Sequence, residues 1–333
     1  MGVSRAWHTA VVTDEHDHDH EHDHDHGHHH GVSAGADRRW LSVALGLIAV
    51  FMVAEVVAGI LAHSLALLSD AAHMLTDAGA IILALVAMRL AARPPEGGYT
   101  FGLKRAEILS AQANGLTMLI LAVWLGIEAV RHLVDPPQVA GGLVLGTALV
   151  GIVVNLAAAW AMSRANRSSL NVEGAFQHIV SDLFAFIATA IAGVVLVTTG
   201  FARADAIATL VVVVLMVRAG QRLVRESGRI FLEAAPAGVD PPALGRRLAD
   251  LDEVVEVHDL HVWLITSGQP ALSAHVLVDR RGDCHAVRAE IEDLLRREYH
   301  ITHSTLQVDH ADGVPDVHCE DPHGVSYKRG PHV

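Results

Sequence analysis

Two copies of one short pattern carry most of the chemistry this sequence can offer. In the stretch DAAHMLTDAG, His73 and Asp77 stand four residues apart, and in QHIVSDLFAF, His178 and Asp182 repeat that spacing about a hundred residues later. Both copies lie inside long apolar runs. On a helix, residues four apart share a face, with Cβ atoms about 5–6 Å apart. Each helix can therefore aim one imidazole and one carboxylate at the same point. If the two helices pack together, His73, Asp77, His178 and Asp182 make an N₂O₂ ligand set, a tetrahedral arrangement suited to Zn²⁺. The plainer reading is a local hydrogen bond within each pair that steadies a helix bundle. Ionisable groups near a bilayer centre cost about 2.5–3.5 kcal/mol each and by default mark a pathway. Two pairs of identical spacing favour the metal.

The elements that must position these residues follow from hydropathy. Only 18% of the 333 residues are charged, against about 25% in an ordinary soluble protein. The deficit is concentrated in roughly 40–226, between the polar stretches 1–39 and 227–333. This middle part divides into six apolar runs, near 40–62, 64–90, 108–132, 141–163, 172–199 and 204–225. Each has about the 20 residues needed to cross a hydrocarbon core of ~30 Å as a helix. Breaks fall at Arg93-Pro94-Pro95-Glu96-Gly97-Gly98, at Asp135-Pro136-Pro137 and at 164–169, with tighter joints near His63-Ser64 and Gly200-Phe201.

Basic residues give the orientation. Arg38, Arg39, Arg89, Arg93, Lys104, Arg105, Arg164, Arg167, Arg218, Arg222, Arg225 and Arg229 all fall on one side of the six spans. The other side offers Arg131 and Arg203. The positive-inside rule puts both termini in the cytoplasm. Helix 2 then runs inward and helix 5 outward, and at about 1.5 Å per residue both His–Asp pairs fall near mid-membrane. Asp70, one turn from His73, shares its face as an accessory proton or ion relay or as a helix hydrogen-bonding group. Glu55, Asn114 and Asn155 are the other polar residues inside helices 1, 3 and 4, with interhelical hydrogen bonding as the default role.

The soluble end follows a different rhythm. LADLDEVVEVHDLHVWLIT ends a helix and opens a strand, QPALSAHVLVD is a second strand, CHAVRAEIEDLLRREYH an amphipathic helix and STLQVDH a last strand. The expected module is a small α+β domain, α-β-β-α-β and ferredoxin-like, over 227–312 including a linker. At this size its core is small, which favours pairing with a twin. Residues 1–39 form a polar His/Asp-rich leader and 313–333 a flexible tail. A net charge of −13 and the lack of a basic stripe exclude nucleic acid as a partner. Cys284 and Cys319 form no CxxC motif and read as free thiols.

Taken in order, SLALLSDAAHMLTDAGA, YTFGLKRAEILSAQANG, EGAFQHIVSDLFAF and VHDLHVWLITSG resemble the cation diffusion facilitator family of zinc exporters. The resemblance runs from helix 1 to about Asp309. It implies a homodimeric metal²⁺/H⁺ antiporter of the zinc/cadmium subtype, not an enzyme, in the plasma or inner membrane of a bacterium. Its substrates would be Zn²⁺ and also Cd²⁺ or Co²⁺, with protons and the lipid bilayer as the other partners. It also implies a cytoplasmic domain that binds regulatory zinc. His258, His275, His285 and Asp309 match the ligand positions there, Gln307 stands where another histidine is found, and His261 could substitute. Arg105 matches a basic residue of the helix 2–3 loop, with Glu233 near its acidic partner. That loop has no histidine here, so no loop metal site is expected.

Other classes stay open on the residues alone. A metal sensor or a passive divalent-cation channel needs the same ligands. An intramembrane metallohydrolase needs an open coordination position and a general base, and the chain has no HExxH.

The leader HDHDHEHDHDHGHHH alternates nine histidines with carboxylates. Such a tract can trap metal weakly but has no fixed geometry. Deleting residues 14–30 is therefore expected to leave the maximal transport rate intact and at most to raise the zinc concentration needed. Flux measured against zinc concentration checks this; complete loss of flux at normal expression would give the tract an essential role.

Overall fold

A backbone in contact with lipid has no water to satisfy its N–H and C=O groups, so apolar runs of this length close their hydrogen bonds internally as helices. Six long helices follow one another in the computed structural model: α1 (Ala34–Leu61), α2 (Leu65–Ala91), α3 (Ala106–Val134), α4 (Gly141–Ser163), α5 (Leu170–Thr199) and α6 (Ala204–Phe231). The structure describes residues 34–61, 65–136, 141–165, 167, 169–311 and 324–328. Within these, the side chains of 34–37, 58, 59, 61, 65–73, 76, 141, 143 and 144 are outside the description. The leader, His318, Cys319 and His323 also lie outside the described residues.

Among the described residues, five helices, α1 and α3 to α6, contain stretches long and apolar enough to cross a membrane. Their apolar residues face outward as well as inward. Val50, Ile120, Val153, Ile191 and Val211 are each more than half exposed. In water such faces would drive aggregation; against lipid they are matched. The helices end where the local chemistry requires. α3 stops at Asp135, the residue before Pro136, and α5 stops at Gly200, which adopts φ +71°. α6 continues past the expected end near 225 as an arginine-rich stretch through Arg229.

Packing divides the six helices. Leu41 and Ile48 of α1, Ile81 of α2, Met162 of α4 and Ile179 of α5 are almost wholly buried in one shared cluster. α3 and α6 cross at Gly115 and Gly220. A Cβ on Gly220 would lie 2.9 Å from Leu119 Cγ and 3.0 Å from the Gly115 carbonyl oxygen, so only small residues permit this crossing.

The C-terminal part runs α7 (Pro241–Ala249), β1 (Val254–Thr266), β2 (Gln269–Val278), α8 (Cys284–Tyr299), β3 (His303–His310) and β4 (Tyr327–Lys328). Its small mixed sheet has the order β3-β2-β1-β4, with β1 and β2 antiparallel and β2 and β3 parallel. Leu244 and Leu248 of α7, Val257, Leu272 and Val276 of the sheet, and Ile291 and Leu295 of α8 form the core. The β1–β2 turn needs Gly268 because that residue sits at φ +71°. Asp283 caps α8, its carboxylate accepting from the His285 and Ala286 N–H groups at 2.9 and 3.2 Å.

The α-β-β-α-β order is as expected, but the sequence reading counted one strand too few. Tyr327 and Lys328, assigned to the tail, pair antiparallel with Val257 and Glu256. The Ser326 hydroxyl donates to Glu256 at 2.6 Å, and the Lys328 ammonium lies 3.3 Å from the same carboxylate. Two residues were too short to show a strand period; the partner edge makes them a strand. A chain ending at residue 323 is expected to lose protection at Glu256 and Val257, with hydrogen exchange there rising about tenfold, the scale of one or two lost hydrogen bonds. Exchange-resolved mass spectrometry over 254–258 checks this, and β2 should stay unchanged.

Candidate metal centre

α2 and α5 pack antiparallel, and their register is fixed at two points. Asn171, fully buried at the start of α5, donates from Nδ2 to the Ala84 carbonyl oxygen of α2 at 3.0 Å. Seven residues further along α5, and seven back along α2, His178 Nε2 lies 2.6 Å from Asp77 Oδ1. Seven residues are about two helical turns, so both contacts use the same two faces. Asp182, one turn beyond His178, joins the group: one ligand atom from each of Asp77, His178 and Asp182 lies within 4.8 Å of the other two. Among the described residues it is the one group of three or more His, Cys, Asp or Glu that reaches this spacing.

The surroundings are dry. The His178 side chain is 4% exposed and that of Asp77 14%. Met74, Ala78 and Ile81 of α2 and Ala175 and Ile179 of α5 are buried around them. A charged carboxylate in such a place must be paired. When Nε2 of His178 carries its proton, the Asp77 carboxylate accepts it. A divalent cation arriving between the two would take that proton's place, because imidazole binds metal only through a deprotonated nitrogen. Two carboxylates and one imidazole form a borderline donor set that fits zinc.

Asp77, His178 and Asp182 are thus brought together as the repeated spacing suggested. His73 and Asp70 lie on α2, and their side chains fall outside the described ones. Glu55, Asn114 and Asn155 are buried. Asn155 bonds within its own helix, to the Gly151 carbonyl at 3.1 Å. Asn171 was missed by sequence reading. The signal was present: an amide about two turns ahead of His178, on the same helix face.

In the C-terminal domain, His258 and His275 are cross-strand partners on β1 and β2, their rings edge-to-face with centroids 5.4 Å apart. His258 Nδ1 is 3.5 Å from Glu256, His275 Nε2 is 3.7 Å from Asp259, and Asp259 also meets His261 Nε2 at 2.9 Å. Burial pushes the Glu256 carboxyl up, but Ser326 and Lys328 outweigh it and hold that group below its usual range. Gln307, opposite His275 in register, donates to Asp309 at 2.8 Å. His285 sits in the first turn of α8. His258, His275, His285 and Asp309 do not close to the spacing seen in the membrane part within this single chain. From the sequence Glu256 and Asp259 read only as repelling charges; the structure sets each beside a histidine. Arg105 Nη2 does reach Glu233 Oε1, at 3.2 Å.

Comparison with known proteins now bears on this geometry. Residues 41–232 match the family model described as the cation efflux transmembrane domain, and residues 242–311 that described as the cation efflux protein cytoplasmic domain. The chain is 35% identical over 283 residues to the cadmium, cobalt and zinc/H⁺-K⁺ antiporter of Bacillus subtilis (strain 168), spanning 83% of this chain and 90% of that protein. It is likewise 35% identical over 291 residues to the zinc transporter ZitB of Escherichia coli (strain K12), spanning 86% and 92%. It is 35% identical over 274 residues to the metal cation efflux system protein CzcD of Cupriavidus metallidurans, spanning 82% and 87%. A membrane part with buried His and Asp, a small sheet domain after it, and matches over both halves lead to one conclusion: the chain belongs to the cation diffusion facilitator family, membrane transporters of metal cations and not enzymes.

Proposed function

We propose that this protein exports Zn²⁺, and also Cd²⁺ or Co²⁺, from the cytoplasm in exchange for protons. The exchange would run by alternating access at His73, Asp77, His178 and Asp182. The observation that carries the reading is the convergence of Asp77, His178 and Asp182 in an apolar cluster. The helix register supports the fourth ligand. Ala84 meets Asn171, and seven residues on Asp77 meets His178. The same antiparallel step, one turn further, sets position 73 opposite Asp182. The relatives' names add the substrates: one is called a cadmium, cobalt and zinc/H⁺-K⁺ antiporter, another a zinc transporter.

Coupling follows from competition for the same atoms. Where the site faces a cytoplasm near neutrality, few protons compete for its imidazoles and carboxylates and the site loads metal. Exposed to a more acidic outside, the imidazoles and carboxylates take up protons and release it. Six spans with both termini inside, in the bacterial plasma membrane, would put α7, the sheet and α8 in the cytoplasm. There two copies would pair, with regulatory zinc at His258, His275, His285 and Asp309, and His261 accessory.

Alanine at His73, Asp77, His178 or Asp182 is expected to bring zinc flux in proteoliposomes to background while the protein still inserts. An internal pH dye should report protons moving against zinc in the wild type, and a second arm with a K⁺ gradient tests that counter-ion. Zinc flux without proton movement would make the protein a channel, and near-normal flux in two of the four variants would remove the site.

The fragment from residue 234 is expected to dimerise and to become more compact with zinc. Asp250, Asp252, Glu253, Glu256 and Asp259 repel when two copies approach, and a divalent ion relieves that repulsion. X-ray scattering with and without Zn²⁺ checks this; a monomer indifferent to metal would leave the soluble histidines structural.

A further inference from the structure

Helix α5 carries His178 and Asp182, and three successive residues at its start are each held by a different element. The first N–H groups of a helix have no partner in the helix itself. Ser169 stands at the cap position in an extended conformation, yet its hydroxyl does not cap; it donates to Glu107 of α3 at 3.0 Å. Asn171 bonds Ala84 of α2. Between them, the Leu170 N–H donates to the hydroxyl of Ser267 at 3.1 Å. Ser267 belongs to the tip of the β1–β2 hairpin, nearly a hundred residues later in the chain.

The tip is itself held firmly. The Thr266 hydroxyl donates to the Lys104 carbonyl oxygen at 3.2 Å, and the Lys104 ammonium donates to Gln269 Oε1 at 2.8 Å. Thr266 and Gln269 flank the turn at Ser267-Gly268, so both sides of it are tied to the α2–α3 loop. Ser267 is thereby presented to α5 by a braced turn and not by a loose loop. Its hydroxyl satisfies the first N–H of α5, as a helix-cap serine ordinarily satisfies the second or third.

We infer that Ser267 is a positioning residue for transport, capping α5 from the C-terminal domain and fixing the helix that bears His178 and Asp182. A helix start tied to α3, to α2 and to the hairpin cannot shift along its axis unless the hairpin moves with it or the Ser267 bond breaks. Any movement of α5 during alternating access therefore engages the hairpin directly. The inference rests on the transport reading for its consequence and on the bond at Leu170 for its structure.

The test uses the full chain in lipid nanodiscs and proteoliposomes. Ser267→Ala is expected to speed hydrogen exchange at the Leu170 amide about fivefold, the scale of a lost helix cap. It should also lower the maximal zinc flux about fivefold, with the half-saturating zinc concentration unchanged. Ser267→Thr, which keeps the hydroxyl, should restore both. Gln269→Ala, which removes a neighbouring bond of the tip, should leave the Leu170 amide protected. Leu170 exchange that ignores Ser267→Ala, or a threonine variant that behaves like alanine, would overturn the inference. A wild-type chain that moves no zinc would instead sink the transport reading, and amide exchange would still decide whether Ser267 holds α5.

Discussion

The contact between His178 and Asp77 is the constraint on which the membrane part depends. An ionised carboxylate taken out of water is strongly destabilising unless something of complementary charge or a strong donor meets it. Asp77 and Asp182 are both placed among buried apolar side chains of α2 and α5. They are tolerable only if the two helices hold the register that brings His178 between them. Asn171 reinforces it two turns away, its amide satisfying the Ala84 carbonyl where no water reaches. A slip of one residue on either helix would rotate the ligands about 100° apart and leave both the amide and the carboxylates without partners.

That demand explains the unequal packing of the six helices. α1, α2, α4 and α5 share one cluster, because the side chains that exclude water from the site must come from all of its sides. α3 and α6 meet through Gly115 and Gly220, at a distance that larger residues would prevent. Close contact between small residues lets dispersion hold two helices together without polar groups. Charge and register therefore hold α2 to α5, whereas close packing of small residues holds the middle of α3 to α6, with one hydrogen bond from Arg203 to the Leu133 carbonyl at the end.

Much of this was legible in the sequence. The six runs were readable because their length and hydropathy are set by the bilayer, and the structure moves most of their ends by only a turn or so. The meeting of Asp77, His178 and Asp182 was readable because spacing on a helix fixes direction. What could not be read depends on partners remote in sequence. β4 is two residues that become a strand only beside Glu256 and Val257. Asn171 gains meaning only opposite Ala84. Ser169 has the type and position of a helix cap, and local rules would give it that bond; the structure gives its hydroxyl to Glu107 and lets Ser267 serve α5 instead. In the soluble domain, His258 and His275 could be named from motif but not their neighbours Glu256 and Asp259, because the irregular register between His258 and His261 decides which carboxylate faces which ring.

The chemistry of the centre also limits what the rest of the protein must supply. A site of carboxylates and imidazole binds a divalent ion most strongly when every group is deprotonated, and protonation of any one weakens the whole set. In the proposed antiport such ligands would themselves couple metal to protons, with no separate proton site required. What they cannot supply is direction, because competition at a fixed site runs equally well both ways. Direction must come from which side can reach the site, and so from movement of the helices that carry it. α2 contributes Asp77 and α5 contributes His178 and Asp182, and the beginning of α5, like the α2–α3 loop, shares a hydrogen bond with the C-terminal domain. In that reading α5 joins both tasks: it carries His178 and Asp182, and about two to three turns earlier its start is tied to the C-terminal domain.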